Sequence, residues 1–333
     1  MTKVRLHVHG GDKSGTEVTF EELSAAMAEV TSGWIDIYQP EEGSARTFLE
    51  KGMGFFHLAV DDCFEEPGSR GFVYEDHKFI AFKARDQDRE LDTEYLRAFL
   101  NDHWLVTVRH AHMPGIREFR KRYHSPKVKR RSKMGSEYLL YELLDSVADD
   151  WYQILDGKSL RLDELEHQVF DPNHQYPDLL ENLHELKGDL REIAKSTTPL
   201  YEVIQKMLRI GEDFVTDETK VYFDDLGDLT LSLIRRVENY NSGAASTRDT
   251  YISQSHMRAA EAQAEAGEVM RLLTIIATIM LPITAIASIF GMNVESFGSG
   301  NGPVDLTIIL GLMAGIGGVM LLWLYAKGYI GKR

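Results

Sequence analysis

Two long uncharged apolar runs near the carboxyl terminus constrain the fold of this chain more than any other feature. They cover residues 272–290 and 306–326, which are 19 and 21 residues long, and neither contains Asp, Glu, Lys or Arg. About 20 apolar residues in a helix span the hydrocarbon core of a bilayer. Because a buried helix of a soluble protein seldom runs this far without a charge, we predict two transmembrane helices.

The charges that flank these runs predict their orientation. Arg258 and Arg271 precede the first run and three basic residues lie in 327–333, whereas the connecting segment 291–305 has no Lys or Arg. Cytoplasmic flanks carry an excess of Lys and Arg. We therefore expect an integral protein of the cytoplasmic (inner) membrane, with both termini in the cytoplasm and a short outer loop. The amino-terminal segment lacks the apolar core of a signal peptide, which agrees with this orientation.

The charge and the cysteine content of the chain limit which partners it can have. The 333 residues carry a formal net charge of −15, which argues against nucleic acid and favours cationic partners or solubility alone. The single cysteine, Cys63, excludes an internal disulfide and a cysteine-based metal cluster. The sequence contains neither a P-loop nor an H-E-x-x-H motif, so we expect no enzyme activity and no organic cofactor.

The sequence of the first 135 residues predicts an α/β cytoplasmic domain. Thr19 and Glu22 form a capping box ahead of a helix that reaches about Val30. Residue alternation and helical spacing give the other elements. We predict strands at 3–9, 34–38, 72–83 and 104–109, and helices at 44–51 and 92–101.

A helical hairpin is predicted over residues 136–216, after a basic run at 127–133. The basic run fits either a binding site for lipid headgroups or nucleotides, or a segment that is a solvated linker or balances acidic neighbours, and we favour the second interpretation. Helices at 137–170 and 178–209 are separated by a segment with two prolines. The second helix has a predicted packing seam of Leu180, Leu183, Leu186, Leu190 and Ile193.

One long stalk helix is predicted over residues 217–291, because no proline occurs in it before Pro282. It would continue into the first membrane span, followed by an outer loop at 292–305, the second span at 306–326 and a cytoplasmic tail at 327–333. A helix of this length needs partners along its side. The weakest point in its sequence is 241–243, Asn-Ser-Gly.

A conducting path would require several copies of the chain, since two helices cannot enclose water. One face of the first span changes from apolar to hydroxyl-bearing residues. In a ring of copies, the apolar residues would form a constriction and the hydroxyls would face a hydrated ion. Ordinary helix packing explains the same spacing equally well. The residues of this face are Met270, Leu273, Ala277, Leu281, Thr284, Ser288 and Gly291.

The tripeptide Gly291-Met292-Asn293 follows the first span directly, and the second span begins shortly after it. In this position the tripeptide resembles the signature of the CorA family of magnesium transporters. The similarity extends over nearly the whole chain. It includes the segments HLAVDDCFE at 57–65, YFDDLGD at 222–228 and EVMRLLTIIATIMLPITAIASIFGMNV at 268–294.

The resemblance implies a funnel-shaped homopentamer in the lipid bilayer that takes up Mg²⁺, with Co²⁺ and Ni²⁺ as passengers. It assigns a selectivity filter to Gly291, Met292 and Asn293, and it places Met270, Leu273, Leu281 and Thr284 along the pore. Mg²⁺ sheds its water reluctantly, so a ring of Asn293 amides would suit the hydrated ion. The membrane potential would drive entry.

Acidic residues near the two ends of the stalk suggest cation attraction and regulation. Glu295 and Asp305 in the outer loop would raise the local cation concentration, although loop solubility explains them equally well. The family places carboxylates at a subunit boundary near the start of the stalk, which corresponds to Asp224, Asp225 and Asp228. Mg²⁺ bound there would favour a closed ring. Each Asp taken singly fits a charge that complements the helix dipole.

Two other functions stay open at this stage. A zinc-transporting branch shares the architecture, and its signature tends to vary at the position of Met292, so Met292 favours magnesium. A membrane-anchored metal sensor that does not conduct is the second alternative. One departure from the family is Gly267, where the family often has an Asn, so that an inner polar ring is missing.

Overall fold

The computed structural model describes residues 2–8, 15–65, 68–171, 174, 176–291 and 304–330. By internal contacts the chain forms two compact units, Met1–Asp249 and Thr250–Arg333. The first unit contains the predicted α/β domain, the helical hairpin and the beginning of the long helix. The two units are described separately below.

The first unit is built on a seven-stranded mixed sheet with the strand order β2-β1-β3-β7-β6-β5-β4. The pair β3 and β7 is parallel, and the other neighbouring pairs are antiparallel. The strands are β1 (Lys3–His7), β2 (Thr16–Val18), β3 (Gly33–Tyr38), β4 (Arg70–Val73), β5 (Lys78–Arg85), β6 (Thr93–Leu100) and β7 (Trp104–Arg109).

Nine α-helices complete the described part of the chain. Short helices surround the sheet, and long ones form the hairpin and the carboxyl-terminal region. The helices are α1 (Phe20–Glu29), α2 (Glu42–Thr47), α3 (His57–Asp61), α4 (Pro114–Tyr123), α5 (Pro126–Arg131), α6 (Ser136–Phe170), α7 (Leu179–Ile210), α8 (Asp217–Gly291) and α9 (Val304–Ala326). A π-helical turn, Phe48–Gly52, extends α2, so the predicted helix at 44–51 is confirmed.

The capping box predicted ahead of α1 is confirmed. The Thr19 hydroxyl accepts a hydrogen bond from the Glu22 amide at 3.3 Å, and the Glu22 carboxylate accepts one from the Thr19 amide at 2.9 Å. These two bonds satisfy amide groups that the first turn of the helix leaves without partners. The helix ends at Glu29 because Val30 is extended.

Both faces of the sheet are covered. Side chains on one face form a core with α1 and α3, and on the other face Trp34 packs against Phe119 of α4, with ring centroids 4.6 Å apart. The core includes Val4, Leu6, Ile35, Ile37, Phe79, Phe99, Val106 and Val108. Helix α6 packs against α4, β7 and α7, which joins the hairpin to the sheet in one unit.

The helix predicted at 92–101 is wrong, because this segment forms β6. It pairs with β5 on one side and with β7 on the other. The side chains of residues 96–100 are all buried. A strand that is covered on both faces loses the polar–apolar alternation that identifies a half-exposed strand, which explains the error.

One further prediction of the amino-terminal region needs correction, and a second is refined by the structure. The single strand predicted at 72–83 is the hairpin of β4 and β5, closed by a hydrogen bond from the Tyr74 amide to the His77 carbonyl at 2.8 Å. Most of the basic run lies in helix α5, which the Ser125 hydroxyl caps by accepting from the Val128 amide, and Lys127 balances an acidic neighbour, Glu142, at 3.8 Å. The Arg131 guanidinium of this helix lies 5.4 Å from the Tyr222 ring centroid.

The packing seam of α7 is shifted by one position at its start. Leu180 is 42% exposed, whereas Leu179 is 1% exposed. The buried series then continues through Leu183, Leu186, Leu190 and Ile193 at alternating steps of four and three residues. Leu179 stands four residues before Leu183, on the same face of the helix, so it takes the place that the sequence prediction gave to Leu180.

Helix α8 is continuous through Asn241, Ser242 and Gly243. A Cβ atom at Gly243 would lie 3.1 Å from Leu162 Cδ2 of α6, and the Thr247 hydroxyl lies 3.2 Å from the Glu166 carboxylate. Residues 241–243 have low helix propensity, and α8 packs closely on α6 at this segment. Glycine permits this close approach.

Candidate ion-conduction site

The second unit contains the two apolar helical segments predicted from the sequence. The end of α8 and the segment Ile308–Ala326 of α9 are both long and apolar enough to cross a membrane, and both are largely exposed in the single chain. Exposed apolar surface of this extent is costly in water. The two segments therefore require lipid or other copies of the chain as surroundings.

One face of α8 packs against α9 within this unit. The partly buried residues on α8 include Ile275, Ile279 and Ile283, which recur every four positions. On α9, Gly317 is buried, and a Cβ atom there would lie 3.5 Å from Ile283 Cδ1. Small residues let helices approach closely in a membrane. This contact fixes which face of α8 is used inside the single chain.

The predicted pore-lining residues lie outside that contact. Met270, Leu273 and Leu281 are 66%, 62% and 72% exposed, and Ala277, Thr284 and Ser288 are exposed as well. This face of α8 therefore remains available to other copies of the chain or to lipid.

An apolar groove of about 510 Å³ runs along part of this face. Four of the predicted residues line it together with three more residues of α8 and one of α9. The lining residues are Met270, Leu273, Thr274, Ala277, Thr278, Leu281, Pro282 and Met320. Thr274 and Thr278 are additional polar residues that the sequence analysis missed, although their spacing of four places them on one side of the helix.

The threonine hydroxyls of this segment all donate to their own helix. Thr274 donates to the Met270 carbonyl at 2.7 Å, Thr278 to the Thr274 carbonyl at 2.7 Å, and Thr284 to the Met280 carbonyl at 2.8 Å. A hydroxyl that donates still has acceptor lone pairs. Each threonine oxygen can accordingly accept a hydrogen bond from water bound to a cation.

Most of the predicted filter and outer-loop residues lie outside the described part of the chain. Gly291 is the last residue of α8 and is exposed. Met292, Asn293 and Glu295 fall in the segment 292–303, which is not described. Asp305 belongs to the first turn of α9, which begins at Val304, but its side chain is likewise outside the description.

The predicted regulatory carboxylates lie on the exposed side of α8. Asp224, Asp225 and Asp228 are exposed, while Phe223 and Leu226 between and beside them are buried. The helix begins at Asp217, two turns earlier, so the three carboxylates do not occupy the first turn where the helix dipole acts. Within the described residues of a single chain, no group of three or more His, Cys, Asp or Glu is arranged to hold a metal ion.

A buried carboxylate holds the beginning of α8, which the sequence analysis did not identify. Glu137 of α6 accepts hydrogen bonds from the Thr216 amide at 2.9 Å and from the Thr219 hydroxyl at 2.8 Å, and it forms an ion pair with Lys78 of β5. Burial raises the pKa of Glu137, but the bonds from Lys78, Thr216 and Thr219 outweigh it, so the pKa is lowered. These contacts join the sheet, the hairpin and the long helix.

The sequence matches a known family over most of its length. Residues 31–332 match the sequence profile described as CorA-like Mg²⁺ transporter protein. The cobalt/magnesium transport protein CorA of Thermotoga maritima is 28% identical over 311 residues, which cover 90% of this chain and 84% of that protein.

Solved structures support the fold independently. The complete structure of the CorA magnesium transporter from Methanocaldococcus jannaschii superposes with a TM-score of 0.64 at 22% identity, covering 99% of both chains. The ZntB cytoplasmic domain from Vibrio parahaemolyticus superposes with a TM-score of 0.60 at 15% identity, covering 77% of this chain and 98% of that domain. The α/β sheet, the long helix and the apolar carboxyl-terminal helix are thus shared with the complete CorA structure, and the match to the ZntB domain concerns a cytoplasmic domain alone.

Proposed function

We propose that this chain, which belongs to the CorA-like Mg²⁺ transporter family, carries Mg²⁺, and also Co²⁺, across a membrane through a pore formed by several copies. The observation that carries this proposal is the exposed face of α8. It presents apolar residues and then hydroxyls on one side of a helix that ends at Gly291. The family membership indicates that the ion is a divalent cation. The exposed face of α8 would line the path of this ion through the membrane.

The pore is formed by a homopentamer in which α8 of each copy faces the axis and α9 lies outside it. This arrangement is supported by the contact between α8 and α9, which leaves Met270, Leu273 and Leu281 exposed. An apolar ring of these residues would gate the pore by excluding water. Both termini then lie in the cytoplasm, and the segment 292–303 lies on the outer side, as the flanking charges indicate.

The ion enters hydrated and meets Asn293 first. Mg²⁺ dehydrates reluctantly and usually keeps several waters, so amide oxygens that accept hydrogen bonds from those waters suit it better than direct ligands. Further inward, the hydroxyl oxygen of Thr284 accepts from the same waters, since its proton is used by the Met280 carbonyl. Glu295 and Asp305 raise the cation concentration outside. Entry is driven by the membrane potential, at about 4.6 kcal/mol per 100 mV for two charges.

Regulation acts through Mg²⁺ held between subunits by Asp224, Asp225 and Asp228. Their exposure on α8 is what a site between copies requires. Internal Mg²⁺ that binds the closed ring more tightly than the open ring shifts the population towards the closed ring. When internal Mg²⁺ falls, repulsion between the carboxylates favours opening.

The experiment is Mg²⁺ uptake into liposomes that contain the purified protein, under an inside-negative potential. We expect uptake by the wild type, and a fall of about tenfold in Asn293→Ala if losing the whole ring of acceptors raises the barrier by about 1.4 kcal/mol. Asn301→Ala is the matched control, because it removes the same amide from the same segment outside the tripeptide. Its uptake should stay close to that of the wild type.

The same liposomes, loaded with internal Mg²⁺, test the regulation. Internal Mg²⁺ should slow uptake by the wild type but not by a variant with Asn at positions 224, 225 and 228. A control with equal charge loss replaces three exposed carboxylates of α7 by Gln, at Glu181, Glu185 and Glu192.

Zn²⁺ uptake without Mg²⁺ uptake would instead identify a zinc transporter. Uptake of neither ion would identify a sensor that does not conduct.

A further inference from the structure

A cleft of about 120 Å³ lies at the carboxyl end of the parallel strands β3 and β7. Tyr38 and Arg109, the last residues of these strands, both line it. In sheets with parallel strands, ligands bind outside the carboxyl ends of those strands. The side chains that carry charge in its wall are Lys3, Arg5, Asp36, Arg109, Arg117 and Arg120. Five of these six are cationic.

The single carboxylate of the wall positions two of the cations. Asp36 is 1% exposed. It accepts hydrogen bonds from Arg109 Nε and Nη2 at 3.0 and 2.9 Å, and from Arg120 Nη2 at 3.0 Å. The one carboxylate of Asp36 therefore holds the guanidinium groups of both Arg109 and Arg120. These three groups together have a net charge of +1. The arginines are held in place before any ligand arrives, which reduces the entropic cost of binding.

The other cations are only partly balanced. Glu17 lies 2.7 Å from Arg5 and 3.7 Å from Lys3, and Arg117 is exposed at the mouth of the cleft. With Asp36 and Glu17 both counted, the five cations leave an excess of three positive charges. A concave surface with this excess attracts anions.

Arg120 lies close to other positive charges of the cleft. Its Nε is buried and has no hydrogen-bond partner among the described residues. Burial lowers the pKa of Arg120, and the charges of Arg5 and Arg109 lower it further against the opposing effect of Asp36. An anion in the cleft would relieve this repulsion and offer an acceptor to the free donors.

The size and shape of the cleft limit which anions it can bind. A volume of about 120 Å³ is well below the ~300 to 1,000 Å³ of pockets that enclose a whole organic ligand. It is about four times the ~30 Å³ that one water occupies in the liquid. Guanidinium groups match the oxygen spacing of phosphate in a bidentate manner. Two further residues of the lining, Tyr38 and His112, stack on each other with ring centroids 4.5 Å apart.

We propose that this cleft binds a phosphate group, as inorganic phosphate or as the terminal group of a phosphate ester, between Arg117, Arg120 and Lys3. The cleft and its charged residues lie entirely within the first unit, so this proposal does not rest on the proposed pore. The protein would thereby respond to phosphate compounds on the side of the membrane where this unit lies.

The test is calorimetric titration of the full-length protein in detergent with inorganic phosphate, in the presence of a metal chelator. We expect saturable binding that chloride at equal ionic strength does not reproduce. Arg117→Gln should weaken it about tenfold, as expected for loss of a charged contact worth about 1.4 kcal/mol. Arg130→Gln is the matched control, since Arg130 is an exposed arginine that does not line the cleft, and its affinity should match the wild type.

A second variant and a second ligand complete the test. Lys3→Gln should also weaken binding, and its exposed position makes misfolding an inadequate explanation. Short-chain phosphatidic acid, titrated in the same way, separates the sources of phosphate: tighter binding than inorganic phosphate identifies a lipid headgroup, and weaker binding identifies a soluble compound. Absence of saturable binding by the wild type, or an equal loss in Arg130→Gln, would overturn the proposal.

Discussion

The two parts of α8 differ completely in how they are packed. Residues 217–249 include nine buried residues, and residues 250–291 include none. Most of the buried positions, from Thr219 to Thr247, follow one another at steps of three, four or seven residues, so they form one stripe along the helix. The first part therefore finds its partners inside the chain, whereas the second part needs partners that a single chain does not supply.

The composition of the two parts explains this difference. In the first part, large apolar residues such as Phe223 and Leu226 lie on one face, with charged residues opposite. Residues 259–267 are mainly Ala, Glu and Gln, and the apolar residues after 271 surround the helix. A helix that is apolar on all sides is buried in a large core or in a membrane. The second part therefore needs lipid or other copies of the chain around it.

The largest expected effect is the difference in unfolding free energy between two leucine substitutions, one in each part of α8. Leu226→Ala, at a site that is 1% exposed, should lower the free energy of unfolding of the first unit by about 2–5 kcal/mol through lost burial and a cavity. Leu272→Ala is the matched change at a site that is 62% exposed, and it should alter that free energy by less than about 0.5 kcal/mol. Denaturant titration of the purified full-length protein measures both. Equal losses would break the comparison, because they would mean that Leu272 is packed as tightly as Leu226.

A smaller effect is expected at the carboxylate that anchors the packed part. Glu137→Gln should cost about 2–4 kcal/mol, because Lys78 loses its negatively charged partner in a mostly buried site and keeps only the Phe214 carbonyl as an acceptor among the described residues. The lowered pKa of Glu137 means that its contribution is complete above its unfolded value near 4.5 and is lost as the pH falls through the folded value. The difference in melting temperature between wild type and variant should therefore shrink below about pH 4.5.

The control for this prediction is an exposed ion pair. Glu192→Gln removes a carboxylate that lies 2.6 Å from Lys195 on α7, at a site that is 51% exposed. Exposed pairs contribute about 0–1 kcal/mol, so this variant should melt close to the wild type. A pH-independent loss in Glu137→Gln would show that its charge does not contribute to the anchoring.

The smallest effect should come from two glycines. Gly267→Ala should stabilise α8 by up to about 1 kcal/mol, since no atom lies within 4 Å of the added Cβ. At Gly243 the added Cβ would lie 3.1 Å from Leu162 Cδ2, so the gain in helix propensity should be cancelled by crowding. Circular dichroism during thermal unfolding compares the two variants. A similar gain at both sites would mean that α6 and α8 separate easily at Gly243.

The sequence was sufficient where the signal is local. The capping box of Thr19 and Glu22 and the α8 helix up to Gly291 both follow from signals within a few turns of the chain. It failed where burial on both faces removed the pattern, as in β6, and where one position decides which face is buried, as for Leu179 and Leu180.

The sequence could not reveal sites that the sheet brings together. Asp36, Arg109 and Arg120 are separated by up to 84 residues, and they meet because β3 and β7 are parallel neighbours and α4 follows β7. Glu137 and Thr219 are 82 residues apart and meet through the packing of α6 on the sheet. No spacing rule connects residues at such distances. The predicted roles of Asn293 and of Asp224, Asp225 and Asp228 depend on other copies of the chain and stay predictions.

The position of the buried stripe also has a consequence for biosynthesis. The last buried residue of α8 is Thr247, and 79 residues separate it from Ala326 at the end of α9. At about 5–20 residues per second, a ribosome needs about 4–16 s to make them. The complete core of the first unit thus leaves the ribosome seconds before the second span does. The sheet and hairpin can fold during translation, and they do not need to wait for the membrane.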